Sequence, residues 1–398
     1  MLQVLLAALV GILLGTITGL TPGLHVNTLV ALMVASLPFL LGILPLYALV
    51  ALIVAMAVTH TFVDYIPSIL LGAPEEESVL SVLPGHRLLL QGRGYEAIRL
   101  TVIGGVGSVL LGITLLPLGV LVLPLIYSPT RRLLPLLLLT VLGFMVYTEG
   151  PGRRIMAFAT MILSGVLGLL VLNGGLIPPR DALFPTLTGL FGMSALLFSL
   201  SSVAKLPRQV LAYSDVEWGR GVATGTLGGI TAGLLPGIGS SQSAFLVQNL
   251  LKGGGEREFL IALGGVNTAD AMYALLALYL IDNPRSGSSV AVGRLLGDLG
   301  RWDLIFLVGV VLLTTLFAAY ITLAIGRVMV RSIERLDYRA LSLMVISILL
   351  LTIAVLTGTR GLLVALTATA IGSIPPLAGV RRSNCMAVLV IPTVLYFL

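Results

Sequence analysis

Apolar runs close to the length that crosses a bilayer, about 20 residues, recur along the whole chain. Residues 2–20 form the first, and 29–58 continue it with a weak break at Leu44-Pro45. A wet loop follows at about 73–97, carrying Glu75-Glu76-Glu77, His86, Arg87, Arg93 and Glu96. Residues 100–127 are apolar again, and Gly104, Gly105 and Gly107 offer close helix packing there. Arg131-Arg132, Glu149 with Arg153-Arg154, and Arg180-Asp181 then punctuate three more spans. A polar linker at 205–220 divides the chain nearly in half. Beyond it lie a Gly-rich stretch at 221–235, an apolar run at 259–281 and further spans at about 304–326, 340–357, 361–378 and 384–398. The pattern predicts an all-α polytopic membrane protein with about ten to twelve segments. Continuous runs, rather than alternating short strands, exclude a β-barrel.

Two polar interruptions inside this apolar chain occur twice, in the same order. Gly19-Leu20-Thr21-Pro22-Gly23-Leu24 is answered by Gly233-Leu234-Leu235-Pro236-Gly237-Ile238. Each leads to small polar residues: Asn27 and Thr28 after the first, Ser240, Ser241, Gln242 and Ser243 after the second. Further on, Val58-Thr59-His60-Thr61 with Asp64 is answered by Val266-Asn267-Thr268 with Asp270, and Pro74 by Pro284. We therefore read 1–204 and 221–398 as two homologous halves around the 205–220 linker, inverted if each half holds an odd number of crossings. Paired Pro/Gly interruptions in corresponding positions of two halves point to a transporter site near the bilayer midplane.

The physical reason is backbone satisfaction. An unpaired N–H or C=O in hydrocarbon costs several kcal/mol, so irregular backbone survives only where protein or water shields it. Pro22 and Pro236 each remove a donor, while Gly23 and Gly237 permit left-handed backbone. Each pair should end one half-helix and start another, whose free N–H groups and partial positive charge favour an anion. Asn27, Thr28, Ser240, Ser241, Gln242 and Ser243 then cap those helices or donate to a carboxylate or phosphate. One Pro-Gly alone reads equally well as a kink; two with matching followers read as a substrate site. His25 either touches substrate or hydrogen-bonds a carbonyl of the broken helix. His60 and Asp64 share one helix face and, with Asn267, Thr268 and Asp270, are candidates for a coupling Na⁺ or H⁺ or for the path wall. The alternative for them is a packed polar pair.

Composition sharpens this. Mean hydropathy is +1.09 and only 10% of residues are charged, against about a quarter in soluble domains. The first basic residue is Arg87, which argues against a cleaved signal peptide. The net charge of +6 is spread over short loops, suiting anionic lipid and giving no case for nucleic acid. A single cysteine, Cys385, excludes an intrachain disulfide and a cysteine metal cluster. Only three histidines exist, with no HExxH, no GxSxG and no P-loop. ATP-driven transport within this chain is excluded, and an intramembrane hydrolase is left as an outside alternative. No cofactor is expected beyond a coupling ion.

At the Pro-Gly motifs of 22–28 and 236–242 the chain resembles the TctA family, the large permease subunit of tripartite tricarboxylate transporters, and its shorter archaeal-type branch. The segment from Pro67 to Gly94 (Pro-Ser-Ile-Leu-Leu-Gly-Ala-Pro, then Leu-Pro-Gly-His and Gln-Gly-Arg-Gly) fits that branch too. So do Gly264-Gly265-Val266-Asn267-Thr268-Ala269-Asp270 and the tail from Arg382-Ser383-Asn384 to Pro392-Thr393-Val394-Leu395-Tyr396-Phe397-Leu398. The resemblance implies secondary active uptake of a carboxylate at the cell membrane, driven by an ion gradient. It also implies a small membrane subunit and an extracytoplasmic binding protein as partners. His25 and Asn27 stand where the family usually has glycine and small residues. Polyprenyl-phosphate carriers also show duplicated Pro-Gly-Ser breaks, so a lipid-phosphate translocator is the alternative transport reading. Membrane lipid and a second copy of the chain, as a homodimer, complete the expected partners.

Overall fold

The computed structural model describes all residues except 22–25, 73–81, 201–206, 212–214, 235–238, 241–242, 245, 248–254, 283–285, 334–337 and 398; a few helical side chains, including Asn27 and Thr28, are likewise undescribed. The described residues are all helical or loop. Among them, seven helices are long and apolar enough to cross a membrane: Leu2–Leu20, Leu46–Leu71, Gly94–Val122, Arg154–Leu172, Glu256–Ile281, Arg301–Ile333 and Ser342–Ala378. Three shorter apolar helices, Pro135–Tyr147, Ala182–Leu197 and Arg382–Phe397, add to them.

In chain order the helices begin with α1 (Leu2–Leu20), α2 (Val26–Ala35), α3 (Leu37–Ile43), α4 (Leu46–Val63) and α5 (Tyr65–Leu71). Then come α6 (Val82–Leu90), α7 (Gly94–Tyr147), α8 (Arg154–Leu172) and α9 (Pro179–Leu187), a π-helical turn (Thr188–Met193) and α10 (Ser194–Leu200). The rest are α11 (Gly219–Leu234), α12 (Glu256–Ile281), α13 (Gly287–Leu296), α14 (Arg301–Ile333), α15 (Tyr338–Ala378), a 3-10 turn (Arg382–Met386) and α16 (Ala387–Phe397).

Two bundles share this chain. One packs α1–α5, the first part of α7, and α11 to α14 around Val54, Ile66, Val109, Val266, Leu276 and Val311. The other packs the end of α7, α8, α9, the π turn, the later part of α15, and α16 around Leu142, Val171, Phe191, Ala368 and Val388. At 54 residues, α7 would run about 80 Å at 1.5 Å per residue, far more than one crossing. It therefore serves both bundles, as does α15, which kinks at Gly358 with φ of 66°. Outward faces carry Leu5, Leu9 and Leu13 on α1, Ile155, Phe158 and Ile162 on α8, and Leu351, Val355 and Leu363 on α15. A continuous exposed apolar face is what hydrocarbon contact requires. Trp218 and Trp302 stand exposed at helix starts, as interfacial anchors do.

Glycine sets the tightest contacts. Gly11, Gly15 and Gly19 bring α1 onto α4: added methyl groups would strike the Leu52 carbonyl, the Met56 carbonyl with Thr59, and Val63 with the Asp64 backbone. Gly225, Gly229 and Gly233 do the same for α11 on α12, against Ala262 with Gly265, Val266 with Ala269, and Tyr273 with the Ala274 backbone. Gly104 of α7 and Gly264 of α12 press each on the other helix's backbone, as the glycine cluster at 104–107 led us to expect.

Charged groups gather where α6 ends and α7, α11 and α12 begin. Glu96 takes both Arg93 (2.5 Å) and Arg257 (2.7 Å), Arg87 meets Glu256 (2.6 Å), and Arg220 meets Glu258 (3.5 Å). The polar linker is pinned to this face. Gln209 accepts from the Gly94 N–H and donates to the Leu89 and Pro207 carbonyls, all at 2.9 Å.

Candidate functional site

Both Pro-Gly breaks (Pro22, Gly23 and His25; Pro236 and Gly237), with Ser241 and Gln242, lie outside the described residues. The helices on either side of them do not. α1 ends at Leu20, with Thr21 extended, and helix resumes at Val26. α11 ends at Leu234, and helical backbone resumes at Ser240.

Just past the second break, Ser240 Oγ donates to Asp270 Oδ2 at 2.5 Å, tying the resumed helix to the middle of α12. Ser243 Oγ donates to the Gly228 carbonyl and ties it to α11 as well. In the first half, His60 Nδ1 lies 3.0 Å from Thr18 Oγ1, near the end of α1. Thr18 Oγ1 also lies 3.1 Å from the Gly15 carbonyl, its acceptor within α1. The neighbouring Thr59 hydroxyl is fully buried and finds no hydrogen-bond partner among the described residues, a group for which a passing ion or water is the natural complement.

α4 and α12 meet at these same residues. Asn267 Nδ2 donates to the Thr61 carbonyl (3.3 Å) and to Asp64 Oδ2 (3.4 Å). Tyr65 Oη donates to the Leu263 carbonyl at 2.8 Å. Residue numbers rise on α4 as they fall on α12, so the two helices cross antiparallel. Thr268 Oγ1 donates within its own helix to Gly264, and its hydroxyl would abut a methyl on Gly105.

Asp64 stands at a joint. Pro67 has no N–H to give the Val63 carbonyl, so the i−4 ladder fails there and α4 gives way to α5. A joint in mid-helix beside buried polar groups is tolerable only because α12 and α1 shield it. His60, Asp64 and Asn267 are nearly inaccessible, whereas Asp270 is half-buried. Of the expected ion-coupling or path residues, Asp64 and Asn267 are in contact, while Asp270 bonds across to Ser240. His60 turns to α1 and Thr268 stays within α12.

The packing also pairs residues differently from their order in the sequence. Aligned on the glycine contacts, Thr59 matches Ala269 and His60 matches Asp270, whereas Asp64 matches Ala274. The sequence pattern instead sets Val58-Thr59-His60-Thr61 with Asp64 against Val266-Asn267-Thr268 with Asp270. Thr18 and Tyr65 were missed altogether; the one signal for each is a polar group in an apolar run. Elsewhere, a cavity of about 490 Å³ is lined by Glu96, Arg99, Asp215, Glu217 and Trp218 over Leu100, Ile103 and Ile261. It belongs to the charged face, away from the buried polar cluster.

Comparison with known proteins agrees with this architecture. The model of the tripartite tricarboxylate transporter TctA family matches residues 5–387. An uncharacterized protein of Methanocaldococcus jannaschii is 29% identical over 408 residues, covering 99% of both chains. No solved structure matches. A match over nearly the whole chain, on an all-helical scaffold with seven long apolar spans, leads to one conclusion: this chain belongs to the TctA family, an integral cytoplasmic-membrane permease subunit and not an enzyme.

Proposed function

We propose that the protein is a secondary active permease for an organic carboxylate, built from two inverted repeats, each with a Pro-Gly-broken helix. Family membership carries the substrate class and the tripartite setting, with a small membrane subunit and an extracytoplasmic binding protein. One observation carries the site. Two glycine-packed helix pairs, α1 with α4 and α11 with α12, have the same spacing and bring His60 and Asp270 to matching positions beside the two breaks. The antiparallel crossing of α4 and α12 supports inversion, since equivalent helices of inverted repeats run in opposite directions.

In this reading the anion sits between the helix starts beyond Pro22-Gly23 and Pro236-Gly237. His25, Asn27, Thr28, Ser240, Ser241, Gln242 and Ser243 surround it. Backbone N–H groups and the two helix dipoles supply the positive potential without a lysine. Asp64, Asn267, Asp270 and His60, with Thr268 behind them, take the coupling Na⁺ or H⁺. An ion taken at Asp270 competes with the Ser240 hydroxyl. Its arrival therefore frees Ser240 for the anion, and this exchange couples the two. The test is uptake into proteoliposomes by wild type, Ser240→Ala and Asp270→Asn. Both substitutions should slow gradient-driven uptake about tenfold or more, the scale of a charge-assisted hydrogen bond. Unchanged coupled uptake by Asp270→Asn refutes the coupling role.

A further inference from the structure

A second buried polar site lies where the two bundles meet. Arg382 opens the 3-10 turn before α16 and is only 9% exposed. Among the described residues its one hydrogen bond is a long one, Nη1 to Ser194 Oγ at 3.5 Å. The Ser194 proton is already committed to the Leu190 carbonyl at 2.6 Å. Among the described residues no carboxylate pairs with Arg382, while Cys385, Arg87 and His86 lie within electrostatic reach of it. Arg87 has its own counter-ion in Glu256. By contrast, the adjacent Arg381 is half-exposed and has a carboxylate partner, donating to Glu149 Oε1 at 3.2 Å and to Thr148 Oγ1 at 2.7 Å.

A guanidinium has five donors in a planar fork shaped for an oxyanion. Burying one beside a single long contact, with other basic groups nearby, is costly unless an anion completes it. The surroundings are also irregular in a way that a packing role does not require. Ser194 follows directly on the π-helical turn Thr188–Met193, a conformation frequent at functional sites. His86 Nδ1 lies 3.2 Å from the Ile69 carbonyl, at the far end of α5 from Asp64. α5 therefore links the two polar sites directly, over about 10 Å of helix.

We propose that Arg382 binds an oxyanion, a carboxylate or phosphate group, in the junction between the two bundles beside Ser194 and His86. The inference rests on the permease reading for its ligand class and adds to it a fixed positive charge apart from the helix starts. A substrate with more than one carboxylate would be met at both places.

Thermal unfolding of the purified protein in neutral maltoside detergent tests this, using citrate, succinate, inorganic phosphate, and phosphatidic acid in mixed micelles. Wild type should be stabilised saturably by citrate. Arg382→Gln should unfold at a higher temperature than wild type without added anion, because an unbalanced buried charge is gone, and should no longer respond to citrate. Arg382→Lys should respond with a half-saturating concentration raised about tenfold, since a point charge replaces a bidentate fork. Stabilisation by phosphatidic acid and not by citrate, again lost in Arg382→Gln, would support the same site with a lipid headgroup as its anion. The proposal is overturned if no anion stabilises wild type, or if either variant responds with unchanged half-saturation. It is also overturned if Arg382→Gln merely unfolds at lower temperature with its anion response intact. Uptake separates this from the permease reading. Loss of transport in Asp270→Asn, with an anion stabilisation that Arg382→Gln retains in full, sinks the Arg382 site alone. Anion stabilisation that depends on Arg382, in a protein that moves no anion, sinks the permease reading alone.

Discussion

Asp270 and His60 hold matching places on two helices yet carry different chemistry, one an acid, the other a base. That difference defines what each should do when changed. Asn267→Ala leaves the Thr61 carbonyl and the Asp64 carboxylate short of a buried donor. Such a loss costs about 1–3 kcal/mol, so the variant should unfold several degrees lower in a detergent melt. His86 offers a pH test on the wet side of the fold. Burial, with the Arg382 charge adding to it, holds its pKa below the ordinary 6.5, despite the opposing Ile69 carbonyl. A depressed folded pKa means that the unfolded chain takes up the proton first. Stability is therefore complete above about pH 6.5 and falls as pH drops toward the folded value. His86→Gln should flatten that acid limb of the melting curve; an equally steep limb would show that other groups cause it. In the sequence, Asp64, Asn267 and Asp270 were legible because polar groups in apolar runs are conspicuous. Arg382 was not, because basic residues near a chain turn usually face water and only the fold shows this one buried.

For single elements, the strongest determinants are the glycine faces and Pro67. Gly15→Leu and Gly229→Leu should fail alike, since each side chain would enter a neighbouring helix backbone. Overpacking a close contact costs about 1–3 kcal/mol or more, seen as lost monodisperse protein on size exclusion. A large difference between the two variants would argue against matching helix pairs. Pro67→Ala restores the missing N–H to Val63 and should mend the joint at Asp64. The expected result is a higher melting temperature with slower transport, as strain at a working site is relieved. Helix ends at the Pro-Gly breaks and at Leu44-Pro45 could be read from residue type alone. The joint at Asp64 could not, because it lies three residues before the proline that causes it. The pairing of His60 with Asp270 was hidden for a related reason: helix register is set by which glycines face which carbonyls, not by similarity of side chains.

At the scale of the molecule, hydropathy predicts an all-helical membrane protein with about ten to twelve segments; among the described residues the helices long and apolar enough to cross number seven, with three shorter apolar ones beside them. What it could not give was their grouping. α7 and α15 each run through both bundles, so a single apolar run contributes to two cores. Nor does a polar linker announce that one of its residues, Gln209, locks it to the start of α7. Together these parts support the proposed carboxylate permease, whose ion and anion would meet at the paired polar sites of α4 and α12. The most direct test is uptake of labelled citrate and other carboxylates into proteoliposomes, with polyprenyl phosphate as comparison, under imposed Na⁺ or proton gradients. The result expected of this permease is gradient-driven accumulation of a carboxylate that Asp270→Asn abolishes and Ser240→Ala slows at least tenfold. No carboxylate movement under either gradient, or movement that both variants leave untouched, would contradict it.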